Sequence, residues 1–487
     1  MKLKRGVAEN EATFDELFGG SGDVIVNRMK AGRHDCLLAW CDGMTSHLLT
    51  YEILFKRLYE LRRNPFLSAE KLFRSFTEGD SRLYDCTVCQ DWNELSDKIL
   101  SGCAALLIDG VPKAICVSAQ GFNTRGITES YTEENVRSSR EGFVESIKVN
   151  MTLIRRRIKS DRLVFQYFKC GSLSNTDTML VFLKDRVPGQ LVHELEERLA
   201  NAPVEMVLES GFVQPFLNEK KRNISLFSSS GHTERPDALC AKLLEGRVGI
   251  LVDGTPFALV VPYLFSENFQ CVDDYTNKAW YSTMMRVIKI AAFFISFLLP
   301  GLYLAVANFH PRALSSGLLL NLANSQQNTP LSLLGEALLI NLLYEIVREA
   351  GLRLPRPVGH AVSLIGALVI GDAAVSSGII GNPMLVAVAF TALCSFTVPT
   401  LYQAASLLRF AFIFLGGLFG IGGIAAGFLI VMVDLCAVES YGIPYTAPFS
   451  PASKAMFRDG VFKKSWLYTA GRFRLLYDLN GAHKKDE

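Results

Sequence analysis

The chain has 487 residues, more than one compact domain usually holds, and its net charge of +2 gives no electrostatic ground for a nucleic-acid partner. The apolar fraction of 49% is ordinary, yet it averages two unlike regions: residues 290–433 carry nine Asp, Glu, Lys or Arg in 144 positions, and the other 343 carry 89. That contrast excludes a wholly soluble protein and points to one part folded in water and one in lipid.

Residues 1–19 mix Lys4, Arg5, Glu9, Glu11, Asp15 and Glu16 with few apolar positions. They supply no apolar core for a cleaved signal peptide and read as an N-terminal extension, so the region behind them is expected to stay in the cytoplasm. Residues 20–135 and 160–285 then read as two soluble α/β units, the second ending in a linker. Residues 100–117 (LSGCAALLIDGVPKAICV) overlay 244–261 (LEGRVGILVDGTPFALVV) without a gap, and eight positions are identical. Each copy is an apolar run, Asp-Gly and a second apolar run, which predicts a hairpin whose Gly takes positive φ. A weaker echo relates residues 35–43 to 177–185. Between the units, residues 136–159 predict a connecting helix with Phe143, Ile147, Met151, Ile154 and Ile158 at helical spacing.

Catalytic signatures are missing from this half: it contains no G-x-S-x-G, Walker-type loop or H-E-x-x-H. Asp109 and Asp253 occupy equivalent turns, where Asp is favoured by local hydrogen bonds, and so read as structural. Eleven scattered cysteines read as reduced thiols, and the lone Cys86-x-x-Cys89 lacks the second pair that a zinc site needs. The expectation is no enzyme, no metal and no cofactor.

Residues 286–436 predict an all-α polytopic membrane domain, which makes the whole a multi-domain protein: a tandem α/β soluble region followed by membrane helices. Five apolar segments are visible, at 290–309, 331–347, 361–380, 384–404 and 410–433. Arg286 and Lys289 place the start of the first segment inside, and residues 437–487 form a basic tail expected inside as well. Both ends inside requires an even number of crossings, which four full spans satisfy if 361–380 is re-entrant. Ionisable groups within these segments are the candidate functional residues, because such groups normally face protein or water. They are Glu336 and Glu345 in the second segment and Asp372 in the third, where Val369 and Ala367 could form an apolar constriction. A secondary transporter regulated by its soluble half would also use buried acids and broken helices. Nothing in the membrane region repeats internally, which weighs against it.

Residues 140–158 (REGFVESIKVNMTLIRRRI), 233–237 (TERPD), 243–262, 293–311 (FFISFLLPGLYLAVANFHP) and 348–375 resemble, in order, the A subunits of GerA-type spore germination receptors, among them the GerA, GerB and GerK types. The stage V sporulation protein AF branch has the same two-part layout, but GLRLPRPVGHAVSLIGALVIG is more similar to the receptor subunits. The resemblance implies a multi-pass protein of the endospore inner membrane, assembled with a transporter-like B subunit and a lipoprotein C subunit. It implies nutrient recognition mainly by the B subunit, self-association of A subunits into a cation channel, and no catalytic residues.

Overall fold

The structure, a computed structural model, describes residues 1–62, 67–78, 85–121, 133, 139–217, 225–327, 329–354, 373–452, 459–465 and 476. Helix α1 (Val7–Phe18) leads into the hairpin β1 (Val24–Ala31) and β2 (His34–Cys41). Strand β3 (Cys86–Cys89), helix α2 (Trp92–Leu100) and the hairpin β4 (Cys103–Ile108) and β5 (Ala114–Ser118) complete an antiparallel sheet of order β1-β2-β4-β5-β3. Alternation along the strands sends Leu37, Ala39, Ala105 and Leu107 to the face covered by α1 and α2, where Phe14, Trp92 and Leu95 pack. Leu38, Trp40, Leu106 and Ile108 go to the other face, under Leu54, Leu58, Leu72 and Phe76. Burial on both faces explains why β4 is apolar at every position.

The second unit repeats this plan. Helix α3 (Ile147–Arg157), β6 (Leu163–Cys170), β7 (Thr176–Leu183), β8 (Gly231–Thr233), α4 (Pro236–Leu244), β9 (Val248–Val252) and β10 (Ala258–Val261) form a sheet of order β6-β7-β9-β10-β8. The hairpins keep one register: Leu106 faces Ile115 and Leu107 faces Ala114, while Ile250 faces Leu259 and Leu251 faces Ala258. Gly110 and Gly254 turn them with φ of +90° and +88°.

The place of α3 differs from the sequence reading. It is no connector but the first helix of the second unit, with Ile147, Met151 and Ile154 buried against Leu163, Phe165 and Met179. Its equivalent is α1, so residues 1–19 belong to the first unit rather than extending from it. Neither helix is capped by its own N-cap side chain. The hairpin turn does it instead: Val7 N donates to Asp109 Oδ1 (3.1 Å) and Ile147 N to Asp253 Oδ1 (3.0 Å). A carboxylate at a helix N-terminus satisfies an orphan donor and complements the dipole. The units meet at a buried ion pair in which Arg155 Nε and Nη2 donate to the two oxygens of Asp23 (2.6 and 3.0 Å).

The C-terminal half is helical: α5 (Ala279–Phe309), α6 (Ser316–Gln327), α7 (Leu333–Arg353), α8 (Asn382–Phe396) and α9 (Tyr402–Ala437). Two stretches are long and apolar enough to cross a membrane, Ala279–Phe309 and Pro399–Ala437. The second is not one rod. At Gly420 the backbone leaves helical geometry (φ 62°, ψ −148°), and beyond it the chain doubles back. A Cβ on Gly427 would lie 2.5 Å from the Leu415 side chain, twelve positions away, a separation of about 18 Å along a straight helix. Residues 402–419 and 421–437 are therefore two legs of a helical hairpin, each about 25 Å long at 1.5 Å per residue. The first leg runs beside α5 in the same direction, with Gly416 packed on the Gly301 backbone. The second returns, with Phe428 against Phe294 (6.0 Å between ring centroids).

These helices redraw the predicted segments. The 384–404 segment is mostly α8, which stops at Phe396 short of Pro399, and the 410–433 segment contains the Gly420 bend. Most of the 361–380 segment lies outside the described residues. The return of the second leg brings residues 439–445 onto the second soluble unit, where Ser440 Oγ donates to the Ser229 carbonyl (2.8 Å) and Tyr441 OH to the Leu217 carbonyl (2.6 Å).

Candidate functional site in the helical bundle

Apolar helices leave few groups for chemistry, so the polar residues they bury define the candidate site. Arg409, on the first leg of α9, is fully buried, and its Nε donates to the Ser296 carbonyl of α5 (2.9 Å). A guanidinium there needs a counter-charge. Glu345 of α7 supplies it: Arg409 Nη1 lies 3.5 Å from Glu345 Oε1, and Arg348 Nε donates to Oε2 (3.1 Å). Tyr402 OH (2.9 and 2.8 Å) and Ser406 Oγ (2.6 Å) add hydrogen bonds to the same carboxylate. Arg348 stacks over the Tyr402 ring (3.9 Å), and Arg409 faces the Tyr344 ring (5.4 Å). The cluster ties α7 to the first leg and to α5, and Glu345 is neutralised by two cations rather than left as a free carboxylate.

Glu336 sits nine positions earlier on α7, about 13 Å along its axis, and is fully buried where Glu345 is only partly so. Its Oε2 accepts from Gly381 N (3.1 Å), the N-cap of α8, again placing a carboxylate at a helix N-terminus. Its Oε1 and Asn341 Oδ1 have no hydrogen-bond partner among the described residues. Glu336 thus keeps one unspent acceptor inside the bundle. Val369 and Asp372, the other residues singled out by sequence, lie outside the described residues, as does Ala367.

Sequence reasoning gives Tyr402 and Ser406 no role and sets Arg409 outside, between the segments that end at 404 and start at 410; the structure corrects this by burying Arg409 within the bundle. A signal was present: Arg409 is the one charged residue in the 61 positions 373–433, and it calls for an acid on a neighbouring helix.

Among the described residues no group of three or more His, Cys, Asp or Glu is placed to hold a metal ion. Comparison with known proteins decides the family. The model for the Bacillus/Clostridium GerA spore germination protein family matches residues 12–474. This chain belongs to the GerA family. Spore germination protein KA of Bacillus subtilis (strain 168) is 35% identical to it over 469 residues, 95% of this chain and 85% of that protein. Spore germination protein B1 of the same organism is 30% identical over 468 residues, 95% of each. The uncharacterized membrane protein YfkQ of that organism is 36% identical over 376 residues, 77% of this chain and 73% of the relative. The crystal structure of the N-terminal domain of the A subunit of the Bacillus megaterium spore germinant receptor GerK3 is 27% identical, covers 54% of this chain and 98% of that one, and superposes with a TM-score of 0.43. The GerA-family assignment agrees with the resemblance read from the sequence, and two of the three relatives named are spore germination proteins.

Proposed function

We propose that this GerA-family chain is the A subunit of a nutrient-sensing germination receptor, multi-pass in the inner membrane of the endospore with its soluble units in the cytoplasm. A transporter-like B subunit and a lipoprotein C subunit complete the receptor, and several A subunits associate into a nutrient-gated cation channel. Glu336 carries this reading: it is a buried carboxylate on the apolar helix α7 with one oxygen free of donors among the described residues. A single chain has little room for an enclosed pore, whereas a closed ring brings one helix from each copy around a common axis. There Glu336 and Asp372 become circles of carboxylates that attract cations, and Val369 and Ala367 form the apolar constriction.

The test is cation release from proteoliposomes holding the chain with its native partners, before and after nutrient. Replacing Glu336 with Gln or Asp372 with Asn lowers triggered release and cation selectivity, and Val369→Ala raises resting leak. Normal assembly with release, selectivity and leak all unchanged in the three variants would place the path elsewhere. Orientation is checked with the exposed Cys436 at the end of the returning leg: an impermeant maleimide labels it in inside-out vesicles and not in right-side-out ones.

A further inference from the structure

The entry of α5 is gripped by a distant part of the chain. Arg286, fully buried in the second turn of α5, donates from Nε to Asp274 Oδ2 (2.8 Å). From Nη1 it donates to Asp459 Oδ1 (3.0 Å) and to the Gly460 carbonyl (2.9 Å). Asp459 is held on two further sides, its Oδ2 accepting from Tyr275 OH (2.9 Å) and its carbonyl from Gln270 Nε2 (2.9 Å). Lys463 N donates to Thr283 Oγ1 of α5 (3.0 Å), and its ammonium reaches the Asp274 carbonyl while lying over the Tyr275 ring (4.3 Å). Residues 459–465 therefore lie across the first turns of α5 and bind them to the end of the second soluble unit.

These contacts have the marks of a reversible fastening. They are polar rather than packed, and a buried ion pair fixes geometry more than it adds net stability. Burial pushes the Asp459 carboxyl above its ordinary range and the Lys463 amine down to about 8, so both ions are held against their preference for water. Arg286 Nη2 is buried without a hydrogen bond among the described residues.

We propose that residues 459–465 are a strap that restrains α5 in the resting arrangement, and that Asp459 leaves Arg286 when the receptor opens. The opening half of this statement rests on the channel reading given above. A native reporter adjoins the cluster: Cys271 Sγ lies 3.3 Å from Lys289 Nζ and 3.4 Å from Oδ1 of Asp274, the residue that Arg286 and Lys463 both hold, and it is half-buried.

The experiment uses the full chain with its partners in proteoliposomes, reading Cys271 alkylation by mass spectrometry relative to exposed Cys436, together with cation release. Asp459→Asn is expected to raise Cys271 alkylation by about tenfold, the effect of weakening one charge-assisted hydrogen bond, and to raise resting release. A bis-maleimide bridge in the double variant T283C/K463C is expected to block triggered release, because it holds the strap down. Faster alkylation with resting and triggered release unchanged, or unimpeded release from the bridged protein, would overturn the strap as a restraint. Should Asp459→Asn fail to assemble, the bridged protein decides alone. If the wild-type receptor releases no cations at all, the channel reading fails by itself. The strap then stands or falls on whether nutrient raises Cys271 alkylation in the wild type.

Discussion

Asn10 and Asn150 make the same ring of bonds in the two soluble units. Asn10 Nδ2 donates to the Lys4 carbonyl (2.8 Å) and its Oδ1 accepts from Lys4 N (3.0 Å); Asn150 does the same with Val144 (2.6 and 2.8 Å). Each folds the incoming strand of chain onto the first turn of its helix, just where Asp109 and Asp253 cap Val7 and Ile147. The second ring is fully buried and the first only partly, so their removal is unequal.

Asn150→Ala strips both partners from a buried peptide group and is expected to lower stability by about 2 kcal/mol. Asn10→Ala does less, because water reaches Lys4. Asn150→Asp is a sharper probe, since it keeps the acceptor for Val144 N but sets a carboxylate against the Val144 carbonyl. Thermal unfolding of the purified chain should order the variants with both Asn150 changes below Asn10→Ala, and the reverse order would show that the ring bears no load.

Asp23 and Arg155 join the two units with both side chains shut off from solvent. Asp23→Asn leaves a buried guanidinium without its counter-charge and is expected to cost about 3 to 5 kcal/mol. Arg155→Met alone is equally harmful, whereas the double change Asp23→Asn with Arg155→Met recovers part of the loss. The readout is protease sensitivity around residues 19–23 and the unfolding midpoint. Additive single losses would deny the coupling.

In the helical bundle, Arg409→Gln leaves Glu345 with Arg348 as its one cation, and Glu345→Gln orphans Arg409. Each is expected to lower the yield and the melting temperature of detergent-solubilised protein, with Arg409→Gln the worse because Arg409 also ties α9 to the Ser296 carbonyl. The paired variant should sit above both singles. Equal melting of all four proteins would mean that the charges meet without holding the helices.

Lys463 gives a pH test with a definite sign. Burial lowers its pKa from the ordinary 10.5 to about 8, partly opposed by Asp459 and Asp274 and aided by Arg286. Between about 8 and 10.5 the unfolded chain therefore holds this proton more tightly than the folded chain, so stability contributed by this group rises with pH across that window and is flat below it. The melting temperature of the wild type relative to Lys463→Met should climb from pH 8 to pH 10. A constant difference would show that Lys463 is solvated.

The duplicated hairpins were readable because their signal is local: an Asp-Gly turn between apolar runs determines strand, turn and register within eighteen residues. The role of the Asp was not, since Val7 and Ile147 reach it from more than 100 positions away. Helix α3 was legible as a helix, but its equivalence to α1 rests on little more than Val7 with Asn10 and Ile147 with Asn150, too short a pattern to stand out. The candidate site shows the same division. Glu336 and Glu345 were conspicuous as acids among apolar residues. Arg409 reads as a charge outside the bilayer, because its burial depends on a partner helix that no local pattern announces. The bend at Gly420 was hidden by its surroundings, for Gly416, Gly417, Gly422 and Gly423 stand among apolar residues and no polar turn marks the reversal.

The hairpin at Gly420 also has a mechanical meaning. It returns the chain to the side from which α5 started, so the second soluble unit grips the bundle at two points, Arg286 with its aspartates and the Ser440–Tyr441 turn. A rigid body holding both ends of a loop cannot stretch it; it can only carry α5 and both legs of the hairpin together as a block. Among the described residues no hydrogen bond or ion pair fastens α7 or α8 to the soluble units in the same way. Any turning of the second unit is then felt as slip along the seam between that block and α7 with α8, and the seam is crossed by Glu345 with Arg409.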